Sequence, residues 1–338
     1  MFNELFNMKR QTVVILGSNS FSGSDFIDYL LEQERFNVIG ISRSPEKNSV
    51  FLPYKRFTQP RFRFYQYDLN QHTEQIINLL SKAKPNFIVN FAAQSEVAPS
   101  WEHPEHWFAT NTVSLAKLLK YLSTIRYLTK YVHISSPEVY GTTEGKIIES
   151  APLNPSTPYA ASKAAADLLL LTYFKQFKFP VTFVRSTNVY GAHQQLFKII
   201  PRSIIYLKLG STIPLHGGGK AVKSYIHIRD VSRGQLLIME KGRAGELYHL
   251  SPIHGVSVRN VVELICKTLG KSFQKSTKIA PDRPGQDKAY VIDSTKARRK
   301  LHWKPEITLE RGIGDVVNWI ETNWQEIRNL PHEYIHRE

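Results

Sequence analysis

Cysteine is nearly absent: Cys266 is the single one in 338 residues. That excludes an internal disulfide framework and fits a reducing compartment. The apolar helical context Val-Val-Glu-Leu-Ile-Cys places the thiol in a core rather than at a reaction centre. Long apolar runs are missing too. None approaches the roughly 18 residues needed to cross a bilayer, and Met1 to Arg10 lacks a signal-peptide core. The expectation is a cytoplasmic protein with no membrane partner. Acidic side chains are scarce, 29 against 44 Lys and Arg, giving a formal net charge of +15. This excess suits an anionic partner such as a nucleic acid, a membrane headgroup or a phosphorylated metabolite. No long basic block accompanies it, and the densest cluster, Lys296 to Lys300 with Arg298 and Arg299, reads as the solvated face of a helix. There are no internal repeats or low-complexity tracts. His216, His227 and His249 lack metal-ligand spacing, so no metal is expected.

What is present is a globular α/β chain. Its length allows one large domain and a smaller lobe, and 42% hydrophobic residues with 18 glycines are ordinary for that class. Buried, β-branched runs recur: Thr12-Val-Val-Ile-Leu16, Asn37-Val-Ile-Gly-Ile41, Phe62 to Tyr67, Phe87-Ile-Val-Asn-Phe-Ala-Ala93, Tyr131-Val-His-Ile-Ser135 and Val181-Thr-Phe-Val-Arg185. Helical stretches separate them. This rhythm predicts a doubly wound parallel sheet, which binds ligands at the carboxyl ends of its strands.

The first such end carries Gly17-Ser-Asn-Ser-Phe-Ser-Gly23, a glycine-rich turn between strand and helix, where a backbone can approach a pyrophosphate. Ser20 stands where a middle glycine is usual. The second strand ends in Ser42-Arg43-Ser44 rather than an acidic residue, and an arginine fork with hydroxyls suits a 2′-phosphate. NADP is therefore expected, with NAD as the alternative. Asp68, after the third strand, is poised near an adenine. The expected cofactor set is Gly17, Ser20, Phe21, Ser22, Gly23, Ser42, Arg43, Asp68, Leu69, Ala92 and Ala93, with Tyr159 and Lys163.

The fifth strand ends abruptly in Ser135-Ser-Pro-Glu-Val-Tyr-Gly141, and a helix from Pro158 to about Lys178 opens on Tyr159-Ala-Ala-Ser-Lys163. Tyr159 and Lys163 are four apart and share a helix face. A tyrosine is a poor base at pH 7. A neighbouring lysine cation favours the phenolate, and lowering its pKa by about 3 units takes roughly 4 kcal/mol. Ser136 can donate to the same oxygen. Together they form a device for taking a proton from an alcohol while a hydride leaves the same carbon.

Beyond Gly191 the texture changes. Leu215-His-Gly-Gly-Gly219 reads as a flexible loop, Lys223 to Asp230 as a strand, Pro281-Asp-Arg-Pro-Gly285 as a turn, and Asp315 to Arg328 as a terminal helix. The expected division is a dinucleotide-binding domain over 1–185 and 224–250, and a substrate lobe over 186–223 and 251–338.

These motifs together resemble the extended short-chain dehydrogenases/reductases, and within them the nucleotide-sugar 4,6-dehydratases, from about Thr12 to Ile320. His133-Ile-Ser-Ser-Pro-Glu-Val-Tyr-Gly141 and Asp282-Arg-Pro-Gly-Gln-Asp287 are similar to segments of dTDP-glucose dehydratases. Ala92-Ala-Gln-Ser-Glu-Val97 with Ser100-Trp-Glu-His-Pro104 is closer to GDP-mannose dehydratases. Ser-Ser-Pro-Glu, with Gln194-Gln195 and the His-Gly-Gly-Gly loop, resembles the legionaminic-acid branch acting on GDP- or UDP-N-acetylglucosamine. The resemblance implies oxidation of the sugar at C4, loss of water across C5 and C6, and return of hydride to C6. It also implies Ser136, Tyr159 and Lys163 as the redox triad and Glu138 as the base at C5. Asn188, Lys198, Lys223 and Arg283 would meet the nucleotide diphosphate, Ser95 would join the substrate site, and the chain would be a homodimer. Two positions depart from the pattern. Pro137 replaces an acid that protonates the departing hydroxyl, and Lys223 replaces an arginine.

Two kinds of rival remain open on the sequence. A 4-epimerase shares the triad but needs no base at C5, although a C5-acting relative would use Glu138. A non-catalytic RNA- or nucleotide-binding relative is supported only by the positive charge, and the complete triad speaks against it.

Overall fold

The computed structural model describes residues 10–57, 60–142, 145–281 and 291–336. Seven strands form one parallel sheet: β1 (Gln11–Leu16), β2 (Phe36–Ser42), β3 (Phe62–Gln66), β4 (Phe87–Asn90), β5 (Lys130–Ile134), β6 (Val181–Ser186) and β7 (Leu247–Leu250). Their order is β7-β6-β5-β4-β1-β2-β3. Strand order reverses between β4 and β1, which opens the crevice typical of doubly wound sheets.

Both faces of the sheet are covered. Val13, Ile15, Val89, Val132 and Val184 pack into one apolar cluster with helices α1 (Phe21–Glu32) and, later in the chain, Ile228–Lys241. Val14, Leu16, Ile88, Tyr131 and Phe183 pack into the other with α2 (Thr73–Ala83), α4 (Ser114–Leu122), which follows the short α3 (Pro104–Phe108), and α5 (Pro158–Phe177). Central strands buried on both sides explain why these runs are apolar throughout rather than alternating. A third cluster, built on Ile200, Ile204, Val261, Ile265, Val316 and Ile320, forms the smaller lobe, and Val50 reaches into it from the sheet side. Trp319 donates to the Val50 carbonyl at 3.2 Å.

Several sequence expectations change. Arg229 and Asp230 belong to the helix Ile228–Lys241, not to a strand, because the His227 ring accepts from Arg229 N and caps that helix. The strand there is only Tyr225–His227. The terminal helix is two pieces, Leu309–Thr322 and Trp324–Ile327, broken at Asn323. The basic cluster on helix Thr295–Leu301 is not simply solvated: Lys296 donates to the Leu247 carbonyl, Arg298 to Ser294 and Ser251, and Lys300 to Glu246. Side chains from this stretch, Ala297, Leu301 and Trp303, pack with the sheet cluster. Among the described residues, no helix is long and apolar enough to cross a membrane.

Candidate active site

The turn after β1 is shaped by close approach. Gly17 has φ +82°, and a Cβ there would lie 2.6 Å from the Ala92 backbone nitrogen after β4. A Cβ on Gly23 would meet the Gly17 carbonyl oxygen at 2.4 Å. Ser20 caps α1, its Oγ accepting from Gly23 N at 3.0 Å, so the serine replacing the usual middle glycine has a structural task. The twelve-residue helix α1 directs its N-terminus at this turn, a site suited to a pyrophosphate. Asn19 N donates to Ser42 Oγ at 3.0 Å, and Asn19 Nδ2 donates to the carbonyls of Ser44 and Pro45. Asn19 therefore locks the β2 exit against the phosphate turn, a role that no motif in the chain announces. Arg43 follows on that exit, and its own carbonyl accepts from Gln66. Asp68 uses a carboxylate oxygen to hold Asn70 N at 2.7 Å. These residues fit a dinucleotide, whose nicotinamide supplies hydride acceptance and return.

The catalytic candidates converge where β5 ends. Ser136 caps a short 3-10 turn, Pro137–Tyr140, its Oγ accepting from Glu138 N at 3.2 Å. Pro137 suits the first position of that turn, which gives the departure from the acid a local structural reason. Helix α5 begins at Pro158, capped by Thr157, and ends at Lys178 in the left-handed conformation. Its first turn brings the half-buried Tyr159 against Ser136, whose hydroxyl hydrogen-bonds the phenol, with the Glu138 carboxylate close enough to act on it electrostatically.

The electrostatics differ from the sequence expectation. Burial, then the charge of Glu138, push the Tyr159 phenol above its ordinary value, and the Ser136 hydrogen bond lowers it only in part. Lys163 donates to the Ile134 carbonyl at 2.8 Å. Burial lowers Lys163 to about 8, opposed by Asp167 and assisted by Arg185. The groups around Tyr159 thus hold it as a phenol.

Behind the triad lies a charge network that sequence reasoning missed. Asp167, four residues beyond Lys163, accepts from Ser135 Oγ and from Arg185, each at 2.6 Å. The Arg185 guanidinium stacks 4.5 Å from the Tyr140 ring centre, and Tyr140 shares a 2.7 Å hydrogen bond with His249. His133 lies 3.5 Å from Asp167 without bonding to it. Burial and the cations Lys163 and Arg185 hold its imidazole well below its usual range. A second missed residue is Asn111, in a π-helical turn, Ala109–Val113, of the kind often found at functional sites. Asn111 binds both backbone groups of Gln94 and donates to Ser162, so the β4 exit is tied to α5. Ser100 reinforces the tie by accepting from Tyr159 N at 3.2 Å.

On the lobe side, Lys198 forms a 2.6 Å ion pair with Glu96 of the β4 exit, across the cleft mouth. Among the described residues, the buried Asn188 Nδ2, Ser186 Oγ and Gln195 Oε1 find no hydrogen-bond partner, whereas buried polar atoms ordinarily have one. Ser95 is exposed in the β4 exit loop, and Lys223 lies on the short strand Val222–Lys223. Arg283, with the whole Asp282 to Asp287 motif, falls outside the described residues.

A family model described as GDP-mannose 4,6 dehydratase matches residues 14–316. The chain belongs to the nucleotide-sugar 4,6-dehydratase family. It is 30% identical over 328 residues to the dTDP-glucose 4,6-dehydratase of Haemophilus influenzae, covering 91% of this chain and 97% of that one. The structure of DesIV, a dTDP-glucose 4,6-dehydratase from Streptomyces venezuelae with NAD and TYD bound, superposes with a TM-score of 0.86 at 30% identity. It covers 94% of this chain and 100% of DesIV. A UDP-glucose 4-epimerase from Thermotoga maritima superposes nearly as well, TM-score 0.84, but at 24% identity shares the fold alone. This family member is accordingly a hydro-lyase of nucleotide-diphosphate sugars that works through a nicotinamide dinucleotide, and the extended short-chain dehydrogenase/reductase fold is as expected.

The depressed Lys163 pKa has a consequence for stability. Its folded value of about 8 lies below its ordinary 10.5. The unfolded chain therefore binds the proton more tightly, and the cation destabilises the fold fully below pH 8. That penalty fades as pH rises from about 8 to 10.5. Lys163→Met, which keeps the stem's volume, is expected to raise Tm at pH 7 while activity falls by at least ~100-fold. The gain should shrink toward pH 10.5. Melting curves against pH check this, and a gain that is constant across the range would refute it.

Proposed function

We propose that this chain converts a nucleoside-diphosphate hexose to its 4-keto-6-deoxy form, with Ser136 and Tyr159 handling the C4 hydroxyl proton and Glu138 the C5 proton. One observation carries the assignment of roles. Glu138 follows Ser136 on the same turn and acts electrostatically on the half-buried Tyr159. A 4-epimerase has no use for a carboxylate there. The sugar would be held over Tyr159 by the lobe of residues 186–223 and 251–338, with its diphosphate against Asn188, Lys198, Lys223 and Arg283. The unpaired Asn188 Nδ2 supports that placement, and Lys198 would exchange Glu96 for phosphate.

Within the class, N-acetylglucosamine on GDP or UDP is the proposed substrate, following the Ser-Ser-Pro-Glu turn. A panel of UDP-, GDP-, dTDP- and CDP-hexoses, with loss of one water followed by mass, tests both levels. Water lost from none of them overturns the dehydratase reading, and water lost only from non-acetylated sugars overturns the narrower one. A homodimer through a helix pair is part of the same proposal, supported by the exposed Leu168 and Phe177 of α5. So is a cytoplasmic location, for which the single, buried cysteine speaks.

The preferred cofactor is proposed to be NADP. The β2 exit has no acid for a 2′-hydroxyl, and Arg43 with Ser42 and Ser44 offers a fork and hydroxyls to a 2′-phosphate. Losing a charged hydrogen-bond partner costs about 1.5–3 kcal/mol. Arg43→Ala should therefore weaken NADP by roughly ten- to a hundredfold and leave NAD nearly unchanged. Equal losses for both, measured by fluorescence titration, would remove Arg43 from the 2′-phosphate.

A further inference from the structure

The C-terminal stretch runs back from the lobe across the cleft mouth. Glu333 accepts from Tyr206 at 3.1 Å, and the Tyr334 ring packs edge-on against Phe197, beside Lys198, at 5.4 Å. The Tyr334 phenol is within electrostatic reach of Glu96 and Arg43. The stretch then reaches His336, whose ring stacks on Trp107 at 5.3 Å and on His103 at 5.4 Å and meets that of His106 edge to edge, centroids 5.6 Å apart.

There the side chains converge on one point. Glu105 Oε1 lies 3.8 Å from His103 Nδ1 and 3.6 Å from His106 Nε2, and all three ligand atoms are within 4.8 Å of one another. A tetrahedral ion bonded at about 2.0–2.2 Å separates its ligand atoms by about 3.3–3.6 Å. The two carboxylate–imidazole distances already lie close to that range, and rotation of these exposed or half-buried side chains can draw in the two imidazole nitrogens, which lie within 4.8 Å of each other. A carboxylate between two surface histidines is, alone, an ordinary cluster. What distinguishes this one is the use of the other nitrogen of His106: Nδ1 lies 3.3 Å from His336 Nε2. His336 Nδ1 in turn lies 3.2 Å from Tyr334 Oη. Metal-bound histidines characteristically donate their second ring N–H to such a partner, which fixes the tautomer.

We infer that His103, Glu105 and His106 form a binding site for a divalent transition-metal ion of the zinc type, and that the bound ion latches residues 331–336 across the cleft mouth. The ion takes His106 Nε2, so Nδ1 must carry the hydrogen and donate to His336 Nε2. His336 then carries its own hydrogen on Nδ1 and donates to Tyr334. Two imidazoles and one carboxylate leave a fourth position for water. The role is structural and regulatory: the ion lies outside the triad, and its occupancy sets how firmly Tyr334 stays at the entrance.

The test uses the untagged full-length protein with zinc chloride, and cobalt(II) as a spectroscopic probe. Calorimetry should give one tight equivalent of zinc, and cobalt should show the visible spectrum of a four- or five-coordinate nitrogen/oxygen site. His106→Ala and Glu105→Gln, both at the surface, should abolish that equivalent without altering far-UV circular dichroism. His336→Ala should retain the site with zinc affinity lowered roughly tenfold, as for loss of a partner to a metal-bound histidine. Zinc should slow hydrogen exchange over 331–336 in the native protein and leave it unchanged in His336→Ala. Undiminished zinc binding by His106→Ala would overturn the site. Exchange in 331–336 that ignores zinc in the native protein would overturn the latch.

Discussion

Glu138→Gln is expected to lower the rate of dehydration by roughly 10²- to 10⁴-fold, the range for losing a positioned acid–base group. Oxidation at C4 acidifies the C5 proton, and Glu138 is the carboxylate the turn after β5 supplies beside the triad. Pro137, fixed in the first position of that turn, carries no proton. Glu138, having taken the C5 proton, is then the group able to pass it to the departing C6 hydroxyl. In heavy water the native protein should place deuterium at C5 of the product. The variant should accumulate the 4-keto hexose, with C6 intact, and release no dehydrated sugar.

A second readout separates chemistry from misfolding. The charge of Glu138 is among the causes that raise Tyr159. A neutral glutamine removes it, so the Tyr159 pKa should fall and the oxidative half-reaction should extend to lower pH. An unchanged pH profile, or full dehydration by the variant, would assign the C5 base elsewhere.

How much of this was legible in the chain follows from what each feature depends on. The sheet was readable because strands buried on both faces must be apolar throughout, and the turn after β1 because Gly17 and Gly23 are required by contacts no side chain allows. Tyr159 and Lys163 were readable through helix periodicity. The edge strand β7, Leu-Tyr-His-Leu, was not: it is four residues long, and its histidine is buried by pairing with Tyr140, over 100 residues away. The strand expected through Asp230 failed for a related reason. His227 caps the next helix with its ring, a use of histidine that apolar patterning does not register. The direction of the Tyr159 shift depends on burial and on the nearby Glu138 carboxylate, and both are tertiary facts. Asp167 was half legible: its spacing puts it on the Lys163 face, but nothing along the chain pairs it with Arg185.

That pairing carries the other large effect. Asp167 and Arg185 are almost fully buried: their 2.6 Å contact joins two side chains at or below 5% exposure. Breaking a buried pair from one side strands the other charge, at a cost of about 3–5 kcal/mol. Asp167→Asn is therefore expected to lower Tm by something on the order of 5 °C for a chain of this length. Asp167→Leu combined with Arg185→Met should recover much of that loss, since neither charge then remains. The network also reaches the chemistry. Asp167 is the group that raises Lys163 against its burial, while Arg185 lowers it. With asparagine at 167 and Arg185 intact, Lys163 should fall below its native value of about 8 and become neutral at lower pH. The activity limb that depends on the lysine cation should move acidward with it, although residue 167 is placed behind the triad rather than against the sugar. Stability within about 1 kcal/mol of native would show that water or rearrangement satisfies Arg185. An unmoved limb would separate the network from catalysis, leaving it as a clamp that joins β5, α5 and β6.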